Sequence, residues 1–86
     1  VGRAPGPEVL AKIAQVAAAV DGVIDAHDLR AERYGHGMVR CELHITIPRG
    51  TPIEEAHRLD QEVRNRVLQI DGVRQCHVHI DASVDA

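Results

Sequence analysis

Apolar residues recur at helical spacing in two segments of the chain. The first stripe predicts a helix from residue 7 or 8 to residue 20, and the second predicts a helix that starts after Thr51. Thr51 is the expected cap of the second helix, with Pro52 in its first turn and Glu54 completing a capping box. An Asp-Gly pair follows each stripe and predicts where each helix ends. The stripe members are Val9, Ile13, Val16 and Val20, then Ala56, Leu59, Val63, Val67 and Ile70.

Three other segments show the pattern of strands. Residues 38–48 alternate cleanly between apolar and polar side chains, which predicts a strand with one covered and one open face. Residues 24–34 predict a less regular strand, joined to the next by a glycine-containing turn at 34–37. The last strand is predicted from Val73 to about Asp81. The polar positions of the last two strands are Arg40, Glu42, His44, Thr46, Gln75, His77, His79 and Asp81.

The predicted element order is α-β-β-α-β. Two helices that cover one face of a small three-stranded sheet make an α+β two-layer sandwich related to the ferredoxin-like layout. One face of the sheet packs on the helices, and the other carries the polar positions and stays open to water or to a partner.

Composition adds a reason to expect a dimer. The chain has 86 residues, enough for one domain, and it contains no Phe, no Trp and one Tyr. A small core built from Ala, Val, Ile and Leu leaves a thin stability margin, which oligomerisation commonly increases. The net charge is −3 and no block of Lys or Arg stands out, so nucleic-acid binding is not expected.

The two cysteines, Cys41 and Cys76, are far apart in the sequence and have no CxxC spacing. Both fall on the apolar parity of their strands. Buried, reduced thiols are therefore favoured over a disulfide or a site for a soft metal.

The chain contains no apolar run long enough to span a bilayer and no signal peptide. It begins with Val1, so we expect a piece of a longer protein. The expected division is a linker over residues 1–7, one folded domain over 8–82 and a tail over 83–86.

The candidate chemistry lies in the histidines, of which there are six. His79 and Asp81 stand two apart on a strand and project to one face, so they form a chelating pair. His44 projects from the polar face of the preceding strand and can meet them if the two strands are neighbours. Imidazole nitrogen and carboxylate oxygen are ligands of Zn²⁺ and similar cations. The competing interpretation is a polar face that mediates dimer contacts.

Four motifs in order resemble the cytoplasmic C-terminal domain of the cation diffusion facilitator family of divalent metal transporters. They are Ala26-His27-Asp28-Leu29-Arg30, Glu42-Leu43-His44-Ile45, Thr51-Pro52-Ile53-Glu54-Glu55-Ala56-His57-Arg58-Leu59 and Val78-His79-Ile80-Asp81. The resemblance covers roughly residues 9–82. It implies that residues 8–82 form a cytoplasmic α-β-β-α-β domain that binds metal and dimerises, and that residues 1–7 are a linker from a membrane domain. The implied metal site is formed by His27, His44, His57, His79 and Asp81.

Some details of that site stay open. Strand parity puts His27 on the covered side with Leu29, so a bulge or an irregularity at the start of the strand is needed to bring it to the polar face. His57 reaches the site either from the same subunit or across the dimer interface. His77 shares the polar face with His79 and is an alternative or additional ligand. His36 is interpreted as a turn residue.

The resemblance implies a regulatory domain, not an enzyme, on the cytoplasmic face of a membrane. Its expected partners are a second copy of the chain, the transmembrane domain of the same polypeptide and a divalent cation. Zn²⁺ is the leading candidate, and Fe²⁺, Mn²⁺, Co²⁺, Ni²⁺ and Cd²⁺ are alternatives. A free-standing ferredoxin-like metal- or ligand-binding module is the second hypothesis. An enzyme that uses metal-bound water is the third, disfavoured because no further general acid stands out.

Overall fold

The computed structural model describes residues 3–84. Its elements are α1 (Pro7–Ala18), β1 (Asp25–Tyr34), β2 (Met38–Ile47), α2 (Ile53–Val67) and β3 (Val73–Ala82). The predicted order α-β-β-α-β and the ferredoxin-like α+β fold are confirmed. None of the helices in this part of the chain is long and apolar enough to cross a membrane.

The three strands form one sheet with β2 in the centre. β1 pairs with β2 antiparallel, and β3 pairs with β2 parallel. The parallel register places His44 opposite His79 and Thr46 opposite Asp81. The last strand is therefore the neighbour of β2, as the hypothesis of a metal site required.

The core lies between the helices and one face of the sheet. β2 alternates strictly, because its odd-numbered residues from Val39 to Ile47 are buried while its even-numbered ones are partly or fully exposed. The small apolar core needs no aromatic side chain. Its largest fully buried members are Ile13, Val20, Leu43, Ile45, Leu59, Val63 and Val67. The opposite face of the sheet carries the polar side chains.

The start of α2 differs from the prediction. The helix begins at Ile53, its N-cap residue is Pro52, and no side chain caps it. The predicted capping box is wrong because the Thr51 hydroxyl instead donates a hydrogen bond to the Pro48 carbonyl at 2.6 Å. Thr51 therefore closes the turn that precedes the helix. Glu54 remains in the first helical turn.

Both helices end earlier than their apolar stripes predict. α1 ends at Ala18 and α2 at Val67, whereas the stripes extend to Val20 and Ile70. In each case the last apolar residue lies in a tight turn, and its carbonyl accepts a backbone hydrogen bond from the residue three positions later at 3.1 Å. These residues pack on the core from the turn instead of from the helix.

The turn between β1 and β2 has the predicted conformation. Gly35 and Gly37 adopt positive φ angles of 58° and 70°, a region that favours glycine. Before α1, Arg3 forms an isolated antiparallel bridge with Arg33 at the end of β1. The predicted linker over residues 1–7 and tail over 83–86 both include residues outside the described range, 3–84.

Candidate metal centre

A β-bulge brings His27 to the polar face of the sheet. His27 pairs with His44 of β2, but the next matched pair is Arg30 with Glu42, so two residues of β1 stand opposite one residue of β2. Asp28, one of these two residues of β1, has a φ of 52°. The side-chain parity changes across this irregularity. His27 therefore faces the same side as His44 even though Leu29 packs on the core.

Asp81 at the end of β3 joins two histidines from different strands. Its Oδ2 atom lies 3.0 Å from Nδ1 of His44 and 3.2 Å from Nε2 of His27. One ligand atom from each of these three side chains lies within 4.8 Å of the others. The three donors thus converge on a space of the size that a single metal ion occupies. All three are at least partly exposed.

Asp25 holds the other nitrogen of His27. Its Oδ1 atom lies 2.9 Å from His27 Nδ1 and also accepts a hydrogen bond from the Thr46 hydroxyl at 2.9 Å. Both ring nitrogens of His27 therefore face carboxylate oxygens, which accept only when the nitrogens carry protons. The hydrogen bond to Asp25, with a smaller contribution from Asp81, raises the pKa of His27.

The two carboxylates respond in the opposite direction. The pKa of Asp81 is lowered, mainly by its hydrogen bond with His44. The pKa of Asp25 is lowered by its hydrogen bonds with His27 and then Thr46. Both groups therefore stay ionised and available as anionic ligands or as partners of a ligating imidazole.

His44 has a second carboxylate near its far nitrogen. Asp28 Oδ2 lies 3.7 Å from His44 Nε2, on the side away from Asp81. The left-handed backbone at Asp28 thus belongs to the same bulge that frees His27. A metal-bound histidine commonly has its other nitrogen oriented by a carboxylate. Asp25 and Asp28 are placed to do this for His27 and His44.

His79 lies beside this group but contacts a different carboxylate. Its ring stacks on that of His44 with centroids 4.6 Å apart, and its Nε2 lies 3.1 Å from Glu42 Oε2. His77 also stacks on His79, with ring centroids 4.5 Å apart, and His27 lies next to His44 with centroids 5.4 Å apart. The four histidines of the polar face therefore form a continuous row across the sheet. Two members of this row, His27 and His44, meet at Asp81. His79 and His77 continue the row away from that point.

Two histidines lie elsewhere. His57 is exposed on α2, the helix that packs on the opposite face of the sheet, and it is not among the residues that converge on Asp81 within residues 3–84. His36 lies in the turn between β1 and β2, as the sequence indicated. The structure thus brings together three of the five expected ligands, with His79 adjacent and His57 apart.

The donor set suits a divalent cation of the zinc type. Two imidazole nitrogens and a carboxylate oxygen supply three ligands, and Zn²⁺ usually takes four. The protons that the histidines share with Asp81 must leave when an ion binds, because only a deprotonated nitrogen can ligate. A fourth ligand comes from water, from His79 after a side-chain rotation, or from another chain.

Comparison with known proteins identifies the family. The family model described as the cytoplasmic domain of cation efflux proteins matches residues 5–83. This chain belongs to that family. The resemblance to cation diffusion facilitators is therefore confirmed, and the chain represents the cytoplasmic domain of a cation efflux protein.

Individual relatives agree with this assignment. An uncharacterized transporter of Methanocaldococcus jannaschii is 34% identical over 80 residues, which cover 93% of this chain and 28% of that protein. The chain thus spans under a third of the length of that relative. A MamM CTD variant has a TM-score of 0.81 at 28% identity, with 88% of this chain and 95% of that chain covered.

Two further MamM structures are named as metal forms. The nickel form of one MamM CTD variant has a TM-score of 0.83 at 26% identity and covers 91% of this chain and 99% of that chain. The cadmium form of another has a TM-score of 0.82 at 28% identity and covers 90% of this chain and 96% of that chain. Domains of this fold and family have thus been obtained in forms named for divalent metals.

Sequence reasoning did not assign three carboxylates of the polar face to the site. Asp25 stands two residues before His27, and this same-face spacing on a strand was a usable signal. Glu42 alternates with His44 on β2 in the same way. Asp28 had no local signal, because its position near His44 depends on where the bulge falls.

Proposed function

We propose that this chain is the regulatory cytosolic domain of a divalent cation efflux transporter, and that it binds metal on the polar face of its sheet. The observation that carries the proposal is the convergence of His27 and His44, from two strands, on one oxygen of Asp81 from a third. Binding at this point ties together all three strands of the sheet.

Zn²⁺ is the cation that this donor set fits best. Imidazole nitrogen and carboxylate oxygen are its usual ligands where thiolates are absent, at about 2.0–2.2 Å. Fe²⁺, Mn²⁺, Co²⁺, Ni²⁺ and Cd²⁺ are alternatives, because they also bind imidazole and carboxylate donors. The nickel and cadmium forms of MamM CTD variants support a divalent cation in general.

The two remaining candidate ligands are His79 and His57, and His57 links the site to a homodimer. His79 stacks directly on His44 and completes a four-ligand set by rotating away from Glu42. His57 lies on the helical layer, so its participation requires a second copy of the chain that offers its helix to the open sheet face. A site that includes His57 therefore spans two subunits.

Regulation follows from this arrangement by differential binding. If the ion binds the closed dimer more tightly than the open one, metal shifts the population towards the closed dimer. In the whole transporter, each domain is joined to the transmembrane part of the same polypeptide at the cytoplasmic face of the membrane. Closure of the dimer then brings the attached membrane segments to a different spacing.

Calorimetric titration of the chain with Zn²⁺ tests the binding step. We expect tight binding at one or two ions per subunit in the unmodified chain and loss of most of the affinity in His44→Ala. His36→Ala is the matched control, because it removes an exposed turn histidine and leaves the polar face intact. Equal losses in the two variants, or unchanged binding in His44→Ala, would overturn the proposal.

A further inference from the structure

The two cysteines meet on the face of the sheet opposite to the histidines. Cys41 of β2 and Cys76 of β3 are register partners on parallel strands, so their side chains point to the same side. That side is the one covered by the helices, where Cys41 is only 6% exposed and Cys76 is half-buried. Two residues that are 35 positions apart in the sequence are thus neighbours on one face of the sheet.

A surface cavity includes both cysteines among its lining residues. Its volume is about 620 Å³, and it is lined by both cysteines together with Ala31 of β1 and Arg64 of α2. The guanidinium of Arg64 is held by an ion pair with Asp60 at 3.1 Å. The other lining residues are Arg30, Glu32, Arg40, Glu42, Gln75 and His77, whose register directs their side chains to the polar face.

The matched strands hold the two sulfur atoms side by side, and both cysteines are free thiols. Neighbouring strands lie about 4.7–4.9 Å apart, and the side chains of a matched pair project to the same side. Two metal–sulfur bonds of about 2.3 Å each, the length found for zinc thiolates, span about 4.6 Å in line. The separation that a two-coordinate bridging ion needs is therefore close to the spacing of the strands.

We propose that Cys41 and Cys76 form a second metal site, a two-coordinate bis-thiolate site for a soft monovalent cation of the Cu(I) class. Thiolate is the protein ligand that selects Cu(I), and only two sulfur donors meet here, too few for the four-ligand sets that Zn²⁺ prefers. The site lies on the other side of the sheet from His44 and Asp81, so the two sites bind independently.

The chemistry of binding is balanced by protons alone. Two S–H bonds break, two S–Cu bonds form, two protons pass to solvent, and the oxidation state of copper does not change. The product carries one negative charge, and Arg64 lines the same cavity as the two cysteines. The hydrogen bond from Cys76 lowers the pKa of Cys41, so Cys41 is the first thiol to ionise, and the same bond raises the pKa of Cys76.

Competition for Cu(I) with a chromophoric chelator, under anaerobic reducing conditions, tests the proposal on the 86-residue chain. We expect one Cu(I) per chain and at least a 100-fold loss of affinity in Cys76→Ala. Asp81→Ala is the comparison variant, because it should weaken Zn²⁺ binding and leave Cu(I) binding unchanged. Failure of the histidine site would thus not affect the result for the thiol site.

X-ray absorption of the copper-loaded chain provides a second measurement that does not depend on a variant folding. We expect two sulfur neighbours at about 2.3 Å or slightly less and no nitrogen neighbours. Copper bound through nitrogen, or affinity for Cu(I) that is unchanged in Cys76→Ala, would overturn the proposal.

Discussion

His44 Nδ1 lies 3.0 Å from Oδ2 of Asp81, although the two residues are 37 positions apart in the sequence. The contact is diagonal, because the direct register partner of His44 is His79 and that of Asp81 is Thr46. This contact forms only because β3 runs parallel to β2 and pairs along its edge. The fold thus places a carboxylate within reach of two imidazoles at one end of an open sheet face.

Loss of the Asp81 charge should weaken metal binding more than any other carboxylate change. Asp81→Asn keeps the shape but removes the anionic oxygen that faces both His27 and His44. Outer partners of metal ligands alone contribute about 10- to 100-fold to affinity, so we expect a loss of more than about 100-fold in Zn²⁺ affinity by calorimetry. Asp71→Asn, in the exposed turn before β3, is the control. A similar loss in both variants would show that general charge, not the site, controls binding.

Asp25 should control the protonation of His27. In Asp25→Asn the acceptor of the Nδ1 proton loses its charge, so the raised pKa of His27 should fall towards the ordinary histidine value of about 6.5. An NMR titration of the metal-free chain measures this directly. Unchanged titration of His27 would contradict the assigned cause. The Zn²⁺ affinity should fall by about 10-fold, as expected when the partner of a ligating imidazole is removed.

Metal binding should weaken as pH falls, and the direction follows from the same shift. The proton on His27 stabilises the metal-free fold fully below the ordinary pKa of histidine, and this contribution is lost as pH rises through the raised value. Zn²⁺ must displace that proton. Calorimetry at several pH values between about 5.5 and 8 should give affinity that rises with pH. Asp25→Asn should shift this dependence to lower pH, whereas affinity independent of pH would exclude histidine ligands.

The bulge in β1 should tolerate glycine at position 28 but not a β-branched residue. The φ of 52° at Asp28 is in the left-handed region, which costs most L-residues about 1–2 kcal/mol. Asp28→Gly should therefore unfold in urea at nearly the same free energy as the unmodified chain. Asp28→Val should be destabilised by about 1–2 kcal/mol and should bind Zn²⁺ more weakly, because His27 loses its position. Equal stability of the two variants would contradict the role of the bulge.

His57 should matter for assembly and not for folding. It is exposed on α2, so His57→Ala should leave the unfolding free energy of the metal-free chain unchanged to within about 0.5 kcal/mol. If His57 serves the site of a second subunit, small-angle scattering should show that Zn²⁺ compacts the unmodified dimer and fails to compact the variant. Gln61→Ala, another exposed position of α2, is the matched control. Compaction of the His57→Ala dimer by Zn²⁺ would remove His57 from the site.

The sequence predicted the elements well because their signals are local. The alternation along β2 and the apolar stripes of both helices depend on neighbours two to four residues away. The predicted cap of α2 was wrong for a local reason too. The Thr51 hydroxyl had two acceptable partners, and it forms its hydrogen bond with the Pro48 carbonyl.

The pairing of distant groups was harder to predict. Whether Cys41 meets Cys76, and whether His44 meets Asp81, depends on the register between two strands separated by a helix. No pattern within either strand specifies that register. The position of the bulge at Asp28 was also hard to predict. The alternation along β1 showed that an irregularity was needed to expose His27, but it did not show which residue would lie in that irregularity.

A crystal structure of the zinc-loaded chain, with anomalous differences measured on both sides of the zinc absorption edge, tests the central claim most directly. We predict an ion about 2.0–2.2 Å from His27 Nε2, His44 Nδ1 and Asp81 Oδ2, on the open face of the sheet. A zinc ion that lies away from these three atoms, or no bound zinc in a chain saturated with it, would contradict the account.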